Sequence, residues 1–127
     1  VCGAHMAGLP LNHQLTSRGA VLVESTESAS KYRLYALAGG PPMRPGMVQV
    51  NDEGHAIKLE IWRIPAAAFA SFIGLIPSPL GIGTVETASG ARVLGFICEQ
   101  AGLIGAADIT DFGGWRSFLA SQSPPNL

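Results

Sequence analysis

Two glycine-studded segments set the terms on which this chain can fold. They are Gly3-Ala4-His5-Met6-Ala7-Gly8-Leu9-Pro10-Leu11-Asn12 near the start and Pro77-Ser78-Pro79-Leu80-Gly81-Ile82-Gly83-Thr84-Val85-Glu86 past the middle. Both read as loops running into or out of apolar strands, which bares backbone amides where chemistry can use them. Glycine adopts positive φ and lets backbone approach a ligand closely. Successive N–H groups in such turns form nests that hold anions without lysine or arginine. A small carboxylate is the expected guest. The expected binding residues are Gly3, Ala4, Met6, Gly8, Pro10, Leu11 and Asn12 from the first segment, with Gly81, Ile82, Gly83 and Thr84 from the second. His5 is the strongly functional side chain of the first segment, a residue whose charge can change near neutral pH.

At 127 residues the chain has the size of one domain with a core of its own. Residues 1–122 read as that domain and 123–127 as a flexible tail, because Ser123-Pro124-Pro125 breaks the pattern. Charged residues make up 13% and the formal net charge is -1, which offers none of the basic stripe that nucleic acid demands. Mean hydropathy is +0.30, yet no apolar run reaches the roughly 18 to 20 residues that span a bilayer. The apolar excess instead suits a sheet buried on much of both faces, or a surface that packs on another domain. Cys2 and Cys98 each sit in an apolar context and read as buried small hydrophobes in a reduced, cytoplasmic setting.

Periodicity places short strands at Ala20 to Glu24 and Lys31 to Leu37, with a Gly-Pro loop from Gly39 to Gly46. Met47 to Val50 and His55 to Ile64 flank Asn51-Asp52-Glu53-Gly54, the chemistry of a hairpin turn. In the second arm Ile57, Leu59 and Ile61 share one face, and Lys58, Glu60 and Trp62 the other. Pro65 opens a helix at a first-turn position, and Phe69, Phe72, Ile73 and Ile76 form its apolar stripe. Ala88-Ser89-Gly90 joins Ile82 to Thr87 and Ala91 to Glu99 as a second hairpin. Val93 to Cys98 is apolar on both faces, as in a central strand. Asp111 is expected to cap a last helix in which Trp115, Phe118 and Leu119 share a face. Strands that outnumber helices and come in hairpins predict an α+β domain, a small mixed barrel or curled sheet with one or two helices.

The first glycine segment, Tyr32-Arg33-Leu34-Tyr35-Ala36-Leu37, Pro79 to Glu86, and Phe112-Gly113-Gly114-Trp115-Arg116 together resemble the C-terminal domain of allophanate hydrolase, in order along nearly the whole chain. The resemblance implies a γ-glutamylcyclotransferase-like fold, a small mixed β-barrel with flanking helices. It implies an amidase domain as partner, since no Ser-Ser-Lys machinery is present here. It further implies urea or s-triazine breakdown, with this domain promoting decarboxylation of N-carboxycarbamate to ammonia and carbon dioxide. No cofactor or metal is implied, and three histidines without tight spacing do not suggest a metal site.

A carbamate loses CO₂ more easily once its nitrogen takes a proton, and a positioned acid is worth roughly 10² to 10⁴ in rate. His5 is the expected acid, set against the alternative of a hydrogen-bonded loop histidine. Tyr35 is the tyrosine of its strand expected to point into a pocket, rather than Tyr32 on the opposite face. Glu86 reads either as a general base or as a surface strand carboxylate, and Arg33 and Arg116 either as anion partners or as ion pairs. A γ-glutamylcyclotransferase proper needs a glutamate where this chain has Phe72-Ile73-Gly74-Leu75-Ile76-Pro77. A non-catalytic domain that joins subunits, as a homo-oligomer, is the other alternative.

Overall fold

The structure, a computed structural model, describes residues 1–122. A run of turns at the N-terminus leads into the single turn α1 (His13–Thr16), then strands β1 (Val21–Glu27), β2 (Tyr32–Ala36), β3 (Pro45–Gln49) and β4 (Lys58–Arg63). Helix α2 (Ala66–Ile73) follows, then β5 (Leu80–Glu86), β6 (Arg92–Cys98), the two-residue β7 (Ala107–Asp108) and helix α3 (Trp115–Gln122). The expected tail at 123–127 lies outside the described residues. The architecture is α+β, as the sequence predicts. Among the described residues the strands form three antiparallel sheets, β1-β4, β3-β2-β7 and β5-β6, and these do not close into a continuous barrel. Single bridges at Ser28–Thr87 and Tyr32–His55 join them.

The β5–β6 hairpin forms as the turn Ala88-Ser89-Gly90 predicts, with Gly83 opposite Gly95 and Ile82 opposite Phe96. The hairpin expected around residues 51–54 does not form: β3 pairs with β2, and β4 with β1. The Val50 N–H donates to Lys31 O, so the end of β3 is held against the start of β2 rather than against β4. The chain then crosses to β1, where the register shift between Leu22 and Glu24 leaves Val23 bulged. Nor is β6 a central strand. It pairs with β5 alone, and Leu94 is 64% exposed.

Helix α2 begins after Pro65, which stands at its N-cap, and ends before Gly74. Phe72 is buried, Phe69 and Ile76 are half-buried and Ile73 is exposed, so the stripe is narrower than expected. Asp111 does not cap α3. It lies in the 3₁₀ turn Thr110–Phe112, and Gly113, at φ 78°, redirects the chain before the helix starts. Trp115 and Phe118 of α3 pack on Tyr32, Leu34, Met47, Ile57 and Leu59, the main core. The Thr110 hydroxyl supports this core by accepting the Leu34 N–H at 2.9 Å, and the Ser28 hydroxyl does the same for Ile57 at 2.9 Å. Smaller clusters gather at Leu15, Ala20 and Phe72, and at Leu37, Leu80 and Cys98. Both cysteines are free and buried. No helix among the described residues is long and apolar enough to cross a membrane.

Candidate functional site

The N-terminal glycine segment is a loop, and it spends its amides on itself. Met6 N–H bonds to Gly3 O, Leu9 to Met6 O, Leu11 to Ala4 O and Asn12 to Leu9 O. The Asn12 side chain closes the coil by donating to His5 O at 2.9 Å. Gly8 supplies the reversal at φ 78°, a conformation costly to any residue with a Cβ. Gly3 sits so close to Pro45 that an added Cβ would lie 2.5 Å from its ring. Ala4, His5, Met6 and Leu11 are buried, while Pro10 is exposed and its carbonyl bonds to His13.

The loop does hold a carboxylate, and it belongs to the protein. Glu60 of β4, which alternation assigns to a solvent face, is buried. Its Oε1 accepts the Ala7 N–H at 2.8 Å and the Trp62 indole at 3.1 Å, and its Oε2 meets Arg116 at 2.9 Å. Burial alone would raise this carboxyl, but those hydrogen bonds and the Arg116 charge outweigh it and hold the group below its ordinary range. Arg116 also bonds to Ala7 O, so it is a strut of the loop rather than a free anion partner.

The small residues around His5 in sequence would leave its ring open. The ring is instead 5% exposed, because bulk arrives from elsewhere in the chain. Phe72 of α2 and Phe96 of β6 meet it edge-on at 5.4 and 5.0 Å. Its Nε2 lies 2.6 Å from Gln14 Oε1 on α1. That oxygen only accepts, so Nε2 carries the proton and Nδ1 is the nitrogen left for other work. Burial lowers the imidazole pKa; the Gln14 bond opposes this and the Arg44 charge adds to it. The ring is therefore neutral at pH 7.

Phe72 and Phe96 also line an apolar cavity of about 520 Å³ between β4, α2 and the β5–β6 hairpin, with Ile82, Phe69 and Trp62. His5 stands behind this aromatic wall. A second cavity of about 370 Å³ opens over Glu60, Arg116, Lys58 and Met6. The second glycine segment is a strand from Leu80 onward. Gly81, Ile82, Gly83 and Thr84 lie in β5, where successive N–H groups point in opposite directions, so a nest cannot form there. Ile82 alone of these reaches the cavity beside His5. Tyr35 lies opposite Gly46 and Asp108 and packs near Leu37 and Leu80. Glu86 is ion-paired with Lys31 at 3.3 Å, and Arg33 with Asp108 at 2.8 Å. Gln14, Phe72, Phe96 and Glu60 shape the site without a sequence signal of their own, apart from Gln14 standing nine residues after His5 on the next turn of chain.

The chain matches known proteins along nearly its whole length. The family model for the allophanate hydrolase C-terminal domain matches residues 1–120. The chain belongs to that family. It is 43% identical over 123 residues to urea amidolyase of Saccharomyces cerevisiae, covering 94% of this chain and 7% of that protein, and 43% identical to the Lachancea kluyveri enzyme. Among solved structures, Kluyveromyces lactis allophanate hydrolase superposes with a TM-score of 0.93 at 42% identity, covering 96% of this chain and 21% of that one. A uropathogenic E. coli-specific protein superposes at 0.87 with 34% identity, over 94% of this chain and 91% of that one. The chain thus spans a small part of the curated relatives it matches, while one similar structure is of about its own length.

Proposed function

We propose that this domain promotes the breakdown of N-carboxycarbamate, the dianion left when an amidase removes ammonia from allophanate. The observation that supports the reading most is His5, buried, fixed by Gln14 and left with Nδ1 free. In the step, the bond between nitrogen and one carboxylate carbon breaks and CO₂ leaves. The electron pair stays on nitrogen and takes a proton from His5 Nδ1, giving carbamate, which goes on to ammonia and a second CO₂.

Burial keeps the imidazole neutral, and a dianion beside it would favour the charged form. The substrate therefore loads its own proton donor. A positioned acid supplies roughly 10² to 10⁴ in rate. The amidase that makes the substrate belongs, on this reading, to the same longer chain. The test is a coupled assay in which a separate amidase generates N-carboxycarbamate and ammonia is followed with and without this domain. Faster release with the domain is expected. An unchanged rate leaves the domain as an assembly module.

A further inference from the structure

Arg44 is the side chain for which the fold provides no partner. Its Nε is buried and meets no acceptor, and among the described residues it is the one buried side-chain nitrogen or oxygen so left. The cations that the sequence offers as anion ligands are already committed, Arg33 to Asp108 and Arg116 to Glu60. Lys31 takes Glu86, so none of these three carboxylates is free to turn to Arg44. Burying a charged group's donor without an acceptor is costly, and such a group calls for an explanation, of which a bound anion is one.

Its position is tied to the His5 loop. The Leu37 N–H donates to Arg44 O at 3.0 Å, closing the loop from 37 to 44. The next residue, Pro45, packs against Gly3, two residues before His5, with no room for a Cβ between them. The Arg44 charge is felt by the His5 ring. We propose that Arg44 binds a carboxylate of a small dicarboxylate substrate, its guanidinium taking one end while His5 serves the atom between the two carboxylates. This rests on the N-carboxycarbamate reading for the identity of the dianion, but not for the binding itself.

Guanidinium donors form a planar fork that fits a carboxylate, which a lysine ammonium does not reproduce. Malonate is the probe, since it places one CH₂ where the substrate has its nitrogen. Titration calorimetry of the chain in a buffer free of carboxylates is expected to show malonate binding. Arg44→Gln should weaken it by about 10- to 100-fold, the share of a charge-assisted pair, and Arg44→Lys by about fivefold or more. Unchanged affinity in a folded Arg44→Gln overturns the proposal, as does a wild-type chain that binds no malonate. If Arg44→Gln does not fold, Arg44→Lys decides in the same way. Malonate binding that depends on Arg44 in a domain that does not hasten ammonia release keeps this proposal and removes the catalytic one. Acceleration with malonate binding indifferent to Arg44 does the reverse.

Discussion

The two glycine segments read alike and are built for different ends. In the N-terminal loop Gly8 sits at φ 78° with open space where a Cβ would go, so the glycine serves backbone conformation. In the β5–β6 hairpin Gly83 and Gly95 are extended, and a Cβ on them would lie 2.7 Å from Ile97 and 2.8 Å from Val85, so the glycines serve close packing. The first segment makes a coil that can hold a carboxylate, and does hold Glu60. The second makes a flat surface that lets Phe96 and Ile82 line a cavity. Glycine density marks where backbone must come close, and only the dihedral decides whether it closes on a ligand or on a neighbouring strand.

The comparison is broken most severely at Glu60. Glu60→Gln keeps the volume but removes the charge that Ala7, Trp62 and Arg116 converge on. With Arg116 half-exposed, the expected loss is about 2 kcal/mol of stability in urea unfolding. A loss near zero shows that the loop does not depend on its internal carboxylate. Gly8→Ala should cost about 1 to 2 kcal/mol through φ alone, and Gly83→Ala about 1 kcal/mol through contact with Ile97. Gly81→Ala meets nothing within 4 Å on an extended strand and should be neutral or stabilise by about 0.5 kcal/mol. If Gly81→Ala instead costs as much as Gly8→Ala, β5 is not a regular strand.

Acid separates His5 of the loop from Glu60 of β4. The folded pKa of His5 lies below its ordinary 6.5, so the unfolded chain binds protons first. Its contribution to stability is full above about 6.5 and falls as pH drops from there through the folded value. Glu60 lies below its ordinary 4.5, so its contribution is lost only as pH falls beneath that point. Thermal melts between pH 8 and 4 should show the His5 decline before that of Glu60, and His5→Asn should remove it. A wild-type midpoint flat from pH 7 to 5 contradicts the buried neutral imidazole.

Local sequence was enough for the β5–β6 hairpin, for α2 behind Pro65 and for the Trp115–Phe118 face of α3, because each is fixed by residues within one turn or one strand. Strand partners were not, since Asn51-Asp52-Glu53-Gly54 dictates a reversal but not which edge the next strand meets. The same holds for the site. His5 and its loop stand out in sequence, whereas the phenylalanines that enclose the ring come from residues 72 and 96. Glu60 alternates with Leu59 and Ile61 as a solvent residue would, and its burial follows from a loop more than fifty residues away. Arg44, in a Gly-Pro loop, carries no signal until its neighbours are known to leave it unpaired.

The most direct measurement of the central claim is ammonia release in the coupled assay with His5→Asn, its folding checked by circular dichroism and its thermal midpoint. If His5 hands over the proton, the folded variant loses the domain's acceleration, roughly 10² to 10⁴ in rate or about 3 to 5 kcal/mol of transition-state stabilisation. A folded His5→Asn domain that accelerates ammonia release as the wild type does contradicts the account.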